Sequence, residues 1–308
     1  MANRWFVDGL VDLVTFELLE QIARTGSVSA AAAAMDVSQQ AASARLVRAE
    51  RLLGHPLVHR AVGGSTLTEQ GGMVLEWATP VLQAARRAAV SLDALQNVMA
   101  PLTVAASQTI AEFLLPDWLQ TLRREEPDAV VRLLSGNSDD VIANLRGGTA
   151  QLGFIESPEV PADLASTPIA VDELVVVVAP GHPWSGLDVV PAEVLAATPL
   201  LLRERGSGTR ATLEEWLRLQ GLSVAPPAAE LGTTSAIRAA AIAGVAPAVL
   251  SGRAVQDEVV AGRLRRIAVQ GAAPRRRLVA VWLAPQLGEV ARRLIAIALR
   301  TDEAAPRE

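Results

Sequence analysis

Ala42, Leu46, Ala49 and Leu53 recur at spacings of four, three and four, which predicts a helix with one buried stripe. Gln39, Gln40, Ser43, Arg45 and Arg48 fall largely outside that stripe, on a polar face. Before it, Thr25-Gly26-Ser27-Val28-Ser29 leads into Ala30 to Ala34. Ser29 and Ser38 can each accept a bond from unpaired amides at a helix start, so two helices joined by a tight turn are expected. The tiny side chains of the first helix let the second cross it closely, the geometry of a helix-turn-helix. Leu57 to Arg60 and Thr66-Leu67 then form two extended runs about the Gly63-Gly64 turn, a β-ribbon or wing with Arg60 near its base.

From Glu69 to about Asn97 the pattern is helical again, with an apolar stripe of Val74, Trp77, Val81, Leu82, Ala85, Ala88, Ala89, Leu92 and Leu95. A helix of that length extends about 40 Å, too far to bury its stripe on one small winged domain. A partner helix is expected. Asn97 to Pro101 breaks the pattern, and an alternation follows: strands at 102–106, 129–134, 151–155 and 174–179, with helices at 110–124 and 141–146. This rhythm predicts a parallel sheet flanked by helices. A second α/β unit is expected from Leu174, with strands at 200–202, 229–231 and 248–250 and helices at 209–219 and 235–243. A strand at 278–283 and a terminal helix at 289–299 follow.

The net charge of −5 looks wrong for a nucleic-acid binder, but binding depends on local fields. Between Gln39 and Gly64, Arg45, Arg48, Arg51 and Arg60 stand against Glu50 alone. Gln, Ser and Arg on an exposed helix face can read base edges or grip phosphates. Ser38, Gln39, Gln40, Ser43, Arg45, Arg48 and Arg60 are therefore the candidate DNA-binding residues. There is no cysteine, which excludes disulfides and thiolate metal sites and fits a reducing cytoplasm. No apolar run reaches the ~18 residues of a membrane span, and the start, with Arg4, Asp8 and Asp12, does not read as a signal peptide.

Three loops after strands are expected to converge on a cleft between lobes, since ligands of such sheets bind beyond the carboxyl ends of the strands. Ser107-Gln108-Thr109 opens a helix; Arg203 to Arg210, with Gly206, Ser207, Gly208 and Thr209, does the same in the second lobe; Thr233 and Thr234 stand at a third helix start. Hydroxyls, arginines and free amides at these points suit a small anion. Each serine or threonine alone could be only a cap. Catalysis is poorly supplied: three histidines, no cysteine and no tyrosine, with no phosphate-binding glycine loop or metal-ligand spacing, so no enzyme, metal or cofactor is expected.

The first quarter of the chain resembles the N-terminal winged helix-turn-helix of the LysR-type transcriptional regulators. The resemblance rests on Phe16, Ile22, Thr25-Gly26-Ser27, Ala31 to Ala33, Val37-Ser38-Gln39, Leu46, Glu50, Leu53-Gly54, Leu57, Arg60 and Leu67-Thr68-Glu69-Gln70-Gly71. Gln40 stands where the family often has proline, and Ala44 where an arginine often follows the serine, so Arg45 is expected to take over that contact. The resemblance implies a winged domain at 1–68, a linker and dimerisation helix with a hinge at 69–100, and an effector-binding domain at 101–308. That last domain would be α/β and two-lobed, like type 2 periplasmic solute-binding proteins, with lobe I at about 101–170 and 270–300 and lobe II at about 171–269. Ala106 to Ile110, Leu114-Leu115-Pro116 and Arg203 to Arg210 are similar to the branch regulating sulfur assimilation and carbon dioxide fixation. Ala246-Pro247 departs from the glycine and aliphatic residue common there. The implied partners are double-stranded promoter DNA, a small anionic metabolite and further copies of the chain as dimer or tetramer, with RNA polymerase a further candidate and the cytoplasm the expected location. A molybdate-type or solute-binding anion sensor would also explain the lobes, but leaves the first 97 residues without a role.

Overall fold

Asp12 starts the first described helix, α1 (Leu13–Thr25), by accepting a hydrogen bond from the Thr15 amide at 2.8 Å. The helix ends at Gly26 in the left-handed conformation, where a side chain would be strained. Ser27 caps α2 (Val28–Ala34), its Oγ accepting from the Ala30 amide at 3.4 Å. The cap expected at Ser29 therefore lies inside the helix, because the chain is already extended at Ser27 on leaving the glycine turn. Ser38 caps α3 (Gln39–Leu53), accepting from Ala41 at 3.2 Å. The three helices close over Leu18, Leu19, Ile22, Ala31, Ala32, Ala42, Leu46 and Ala49.

The computed structural model describes residues 12–61, 64–96, 101–283 and 287–303; it forms two compact units, one ending at Asp93 and the other beginning at Ala94. The wing of the first unit pairs β1 (Val58–Ala61) with β2 (Gly64–Leu67) antiparallel, Arg60 opposite Ser65. Gly63 of the expected turn and Asn97 of the expected helix break lie outside the described residues. Glu50 fastens the ribbon to α3: its Oε1 accepts from the amides of Leu57 at 2.9 Å and Val58 at 3.3 Å. The long helix α4 (Glu69–Gln96) packs so close beneath that a Cβ on Gly71 would lie 2.1 Å from the Leu57 carbonyl oxygen.

The expected single stripe of α4 is divided between two faces. Val74, Ala78 and Leu82 pack on Phe16 of α1, and Arg86 pairs with Glu20 of the same helix. Met73, Trp77 and Val81 are exposed, Trp77 at 66%.

In the second unit, β3 (Leu102–Ser107) lies parallel between β4 (Val131–Gly136) and β5 (Leu152–Ile155). One helix was expected over 110–124; there are two, α5 (Gln108–Phe113) and α6 (Leu115–Glu125). Pro116 has no amide hydrogen to continue the helical ladder, but is tolerated in the first turn of a new helix. The helix α7 (Ser138–Arg146) precedes β5 and carries a full capping box between Asn137 and Asp140.

The strand β6 (Ala165–Val178) is 14 residues long and begins well before the expected Leu174. Beyond it come a 3-10 turn (Pro183–Gly186), β7 (Val189–Val190), α8 (Ala192–Ala197), β8 (Leu201–Arg203) and α9 (Gly208–Arg218). Next are β9 (Ala229–Leu231), α10 (Thr234–Ile242), β10 (Ala248–Ser251), α11 (Gly252–Val260) and β11 (Arg265–Val269). The chain returns through β12 (Arg275–Trp282) to α12 (Glu289–Glu303).

The wholly parallel sheet expected from the alternation is in fact mixed. Strand β12 runs antiparallel to both β5 and β6, and β6 runs antiparallel to β10 and β11, while β8 is parallel to β9 and β10. The first half of β6 belongs to lobe I and its last five residues to lobe II, so β6 and the start of β12 carry the chain across twice. Alternation along each strand feeds two layers: Val104, Ala106, Trp118, Phe154 and Leu294 on one face of lobe I, Ala105, Val141, Leu145 and Val281 on the other. In lobe II, Leu174, Val176 and Val178 face one layer and Val175 and Val177 the other. Among the described residues no helix is long and apolar enough to cross a membrane.

Candidate nucleic-acid interface and interlobe cleft

The cap at Ser38 places Gln39 and Gln40 in the exposed first turn of α3, with Ser43 half-buried and Arg48 exposed one turn on. Arg60 is exposed on β1. All five side chains reach solvent. Arg45 differs, because its guanidinium pairs with the Asp12 carboxylate that caps α1. Burial alone would push the Asp12 carboxyl up, but bonds from Thr15 and Arg45 outweigh it and hold the group below the usual carboxylate range. Asp12, Val37, Ala41, Arg45 and Arg48 line a groove of about 340 Å³ beside α3.

In the second unit, the loops at Ser107 and Ser207 face each other across the lobes. Gln108 of lobe I reaches lobe II, its Nε2 donating to the Gly232 carbonyl at 3.0 Å and its Oε1 accepting from the Thr234 amide at 2.9 Å. The Asp139 amide approaches the Gly206 carbonyl at 3.4 Å. Gly208 lies so near that a Cβ there would be 2.4 Å from the Glu156 carbonyl oxygen.

Ser107 and Ser207 stand at the N-cap positions of α5 and α9, yet neither side chain caps its helix. They are 1% and 2% exposed, and neither hydroxyl has a hydrogen-bond partner among the described residues. Buried hydroxyls are normally satisfied, so these two are set apart from ordinary caps. Thr233 is an ordinary cap: it is exposed and accepts from the Ala236 amide at 3.1 Å. Thr234 is buried, its Oγ1 accepting from Arg203 at 3.0 Å.

Two of the three arginines expected to supply charge from the Arg203 to Arg210 loop are engaged otherwise, while Arg205 is exposed. Arg203 is buried and grips Glu204 with two bonds of 2.8 Å; Arg210 pairs with Glu214 and Glu230. The cation at the centre is Arg276, 3% exposed, on the crossing strand β12. Its guanidinium donates to Asp172 at 2.8 Å, to Thr209 Oγ1 at 2.8 Å and to Thr109 Oγ1 at 3.2 Å. Asp172 is its register partner on β6 and also accepts from Ser251 at 2.8 Å. Thr109 and Thr209 are thus anchored to one side chain from opposite lobes.

Glu156, beyond the end of β5, completes the cluster at 2% exposure. Its Oε1 accepts from Thr109 at 3.2 Å. Its Oε2 lies 3.0 Å from Arg276 but off the N–H direction, so the contact is an ion-pair distance without a hydrogen bond. Loss of water pushes the Glu156 carboxyl up; the charge of Arg276 opposes this and that of Asp172 reinforces it. Sequence reading missed Glu156, Asp172 and Arg276, although strand alternation in Arg275-Arg276-Arg277 would turn the middle arginine inward.

Residues 95–302 match the family model described as the LysR substrate binding domain, and residues 13–72 match that of the bacterial regulatory helix-turn-helix protein, lysR family. An uncharacterised HTH-type transcriptional regulator of Mycobacterium tuberculosis is 41% identical over 88% of this chain and 90% of its own length. Full-length CbnR, solved with its target DNA, shares the fold at a TM-score of 0.63 and 21% identity, over 94% of this chain and 100% of that one. The regulatory domain of CcmR from Synechocystis PCC6803, solved in complex with 2-PG, superposes at a TM-score of 0.61 and 24% identity, over 67% of this chain and 99% of that one. A helix-turn-helix followed by a two-lobed α/β domain, matched in both parts, makes this chain a member of the LysR family of transcriptional regulators, which are not enzymes.

Proposed function

We propose that this regulator answers a small anionic metabolite held between its lobes and transmits that state as a homodimer or tetramer bound to promoter DNA in the cytoplasm. The observation that carries the reading is the pair of buried hydroxyls, Ser107 and Ser207, at helix starts on facing lobes, neither with a hydrogen-bond partner among the described residues. An oxyanion accepting from both would satisfy them. The backbone amides at the start of α9 would add donors, and Gln108, Thr109, Gly206, Gly208, Thr209, Thr233 and Thr234 would form the surrounding wall. The complex of the CcmR regulatory domain with 2-PG supports a ligand of this kind on this fold.

On the DNA side, Ser38, Gln39, Gln40, Ser43 and Arg48 would face the major groove, and Arg60 the phosphate backbone. Arg45 would join them once released from Asp12. The exposed face of α4 would supply the dimer contact. An anion sensor without promoter control accounts for the lobes but gives residues 13–72, matched to a DNA-binding family model, nothing to do.

Fluorescence anisotropy of the full chain on DNA upstream of its own gene should show a specific complex that weakens steeply with salt, because phosphate contacts release counterions. Thermal shift of the same protein with inorganic sulfate or phosphate should raise Tm, and Ser207→Ala should remove the shift. Salt-independent or absent DNA binding overturns the first half of the proposal. A sulfate and phosphate response that survives in Ser207→Ala overturns the second.

A further inference from the structure

Three buried side-chain oxygens of the second unit, Ser107 Oγ, Ser207 Oγ and Glu156 Oε2, have no hydrogen-bond partner among the described residues. They are linked through their neighbours, since Thr109 bonds Glu156 at 3.2 Å and Gly208 packs on the Glu156 carbonyl. The charges around them are Arg276 from β12, Asp172 from β6 and Glu156 itself, all buried, with Arg203 of β8 shared with Glu204. Ser138 of α7 faces Glu156 only through the Glu156 amide, at 3.4 Å.

Two buried carboxylates therefore crowd the buried guanidinium of Arg276, and Asp172 has a second cation in reach, Arg253 of α11 at 3.9 Å. Asp172 has the better claim, with contacts of 2.8 and 2.7 Å from Arg276 and one of 2.8 Å from Ser251. Glu156 has one long bond from Thr109 and an off-axis approach from Arg276. A second buried carboxylate with so little compensation is unfavourable as an anion, and taking up a proton removes the cost.

We propose that Glu156 is a ligand-binding residue of the interlobe cleft: a neutral carboxyl whose O–H, beside the hydroxyls of Ser107 and Ser207, donates to an oxyanion that carries no proton of its own. The inference rests on the anionic reading above and narrows it to a fully deprotonated oxyanion. With Oε1 accepting from Thr109, the proton sits on Oε2, the oxygen that accepts no hydrogen bond among the described residues and meets Arg276 only off-axis at 3.0 Å. A carboxylate at the same place would repel the ligand, so above the titration of the ligand-free protein each anion bound brings one proton with it.

The test uses the full chain and sulfate, which does not itself titrate near neutrality. Isothermal titration calorimetry between pH 5.5 and 9 should show affinity falling about tenfold per pH unit on the alkaline side. Two buffers of different ionisation heat should report up to one proton taken up there. Glu156→Gln keeps a neutral donor of the same shape; it should bind sulfate with no such slope, and Ser207→Ala should lose binding. Wild-type affinity independent of pH, or a slope retained in Glu156→Gln, overturns the proposal.

A ligand-free measurement separates this from failure of the anionic reading. A carboxyl raised in the folded state stabilises fully below its unfolded titration range and less as pH climbs through the folded one. The Tm of Glu156→Gln should therefore gain on that of wild type as pH rises from 5 to 8. A variant destabilised equally at every pH would mark Glu156 as an ionised partner of Arg276 and overturn the proposal. Absence of sulfate binding at every pH, with the Tm trend present, overturns the anionic reading and this ligand while leaving Glu156 a proton-holding group.

Discussion

Arg45 and Arg60 both belong to the DNA-binding unit, and their charges are in different employment. Arg60 stands exposed on the wing opposite Ser65, whereas Arg45 is held by Asp12. Removing Arg60 should weaken binding to specific and random DNA alike and lower the salt slope by about one. Asp12→Asn should act in the opposite direction, releasing Arg45 and tightening non-specific binding a few-fold. Anisotropy on both DNAs at several salt concentrations checks the pair; an Arg60→Ala loss confined to one sequence would sink the phosphate assignment. At this scale the sequence displayed which residues are polar and exposed, such as Gln39 and Arg48, because period alone separates faces. It could not display Arg45 with Asp12, nor Arg276 with Asp172, because partners 33 and 104 positions apart meet only in the folded chain.

Among elements, α4 shows most directly what periodicity resolves and what it leaves open. Its extent was legible, Glu69 to Gln96 against an expected Glu69 to about Asn97. Its division of labour was not, because one broad stripe holds both the face packed on Phe16 and the face bearing Met73, Trp77 and Val81. Trp77→Glu should shift the full chain toward a smaller species in analytical ultracentrifugation with little change in far-UV circular dichroism. Phe16→Ala should instead cost about 3–5 kcal/mol of stability, as buried aromatic deletions do. Unchanged mass for Trp77→Glu would remove the exposed face from the dimer contact. The first half of β6 escaped sequence reading for a physical reason. Pro168 and Asp172 interrupt the apolar alternation of β6, so only its uniformly apolar end at Leu174–Val178 resembled a strand. Pro168, with no amide to donate, sits where the pairing with β12 shifts register between Leu278 and Val279, and Asp172 is met by Arg276 opposite it.

The effector-binding unit as a whole is two lobes sharing two strands, with Asp172 and Arg276 opposite each other where those strands cross. That the chain returns from lobe II was expected only from the family resemblance; β12 beside β5 now shows it. What holds the lobes at their present separation is a short set of contacts. Arg276 ties Thr109 and Thr209 from inside, and Gln108 ties the rim by two bonds to the Gly232 to Thr234 loop. Each neutral bond is worth about 0.5–1.5 kcal/mol net, so losing both Gln108 bonds should shift the lobes toward opening on the order of tenfold. Gln108→Ala should then raise amide exchange at Thr234, whose N–H it now engages, without speeding exchange in buried β3 or β10. An anion seated on Ser107 and Ser207 would add contacts from both lobes and should slow that exchange again, since a ligand favours the state it binds better. If Thr234 exchanges equally fast in wild type and Gln108→Ala, the rim bond does not govern opening, and the inner contacts, the Arg276 tether with Asp139 on Gly206 and Gly208 on Glu156, must set the lobe separation.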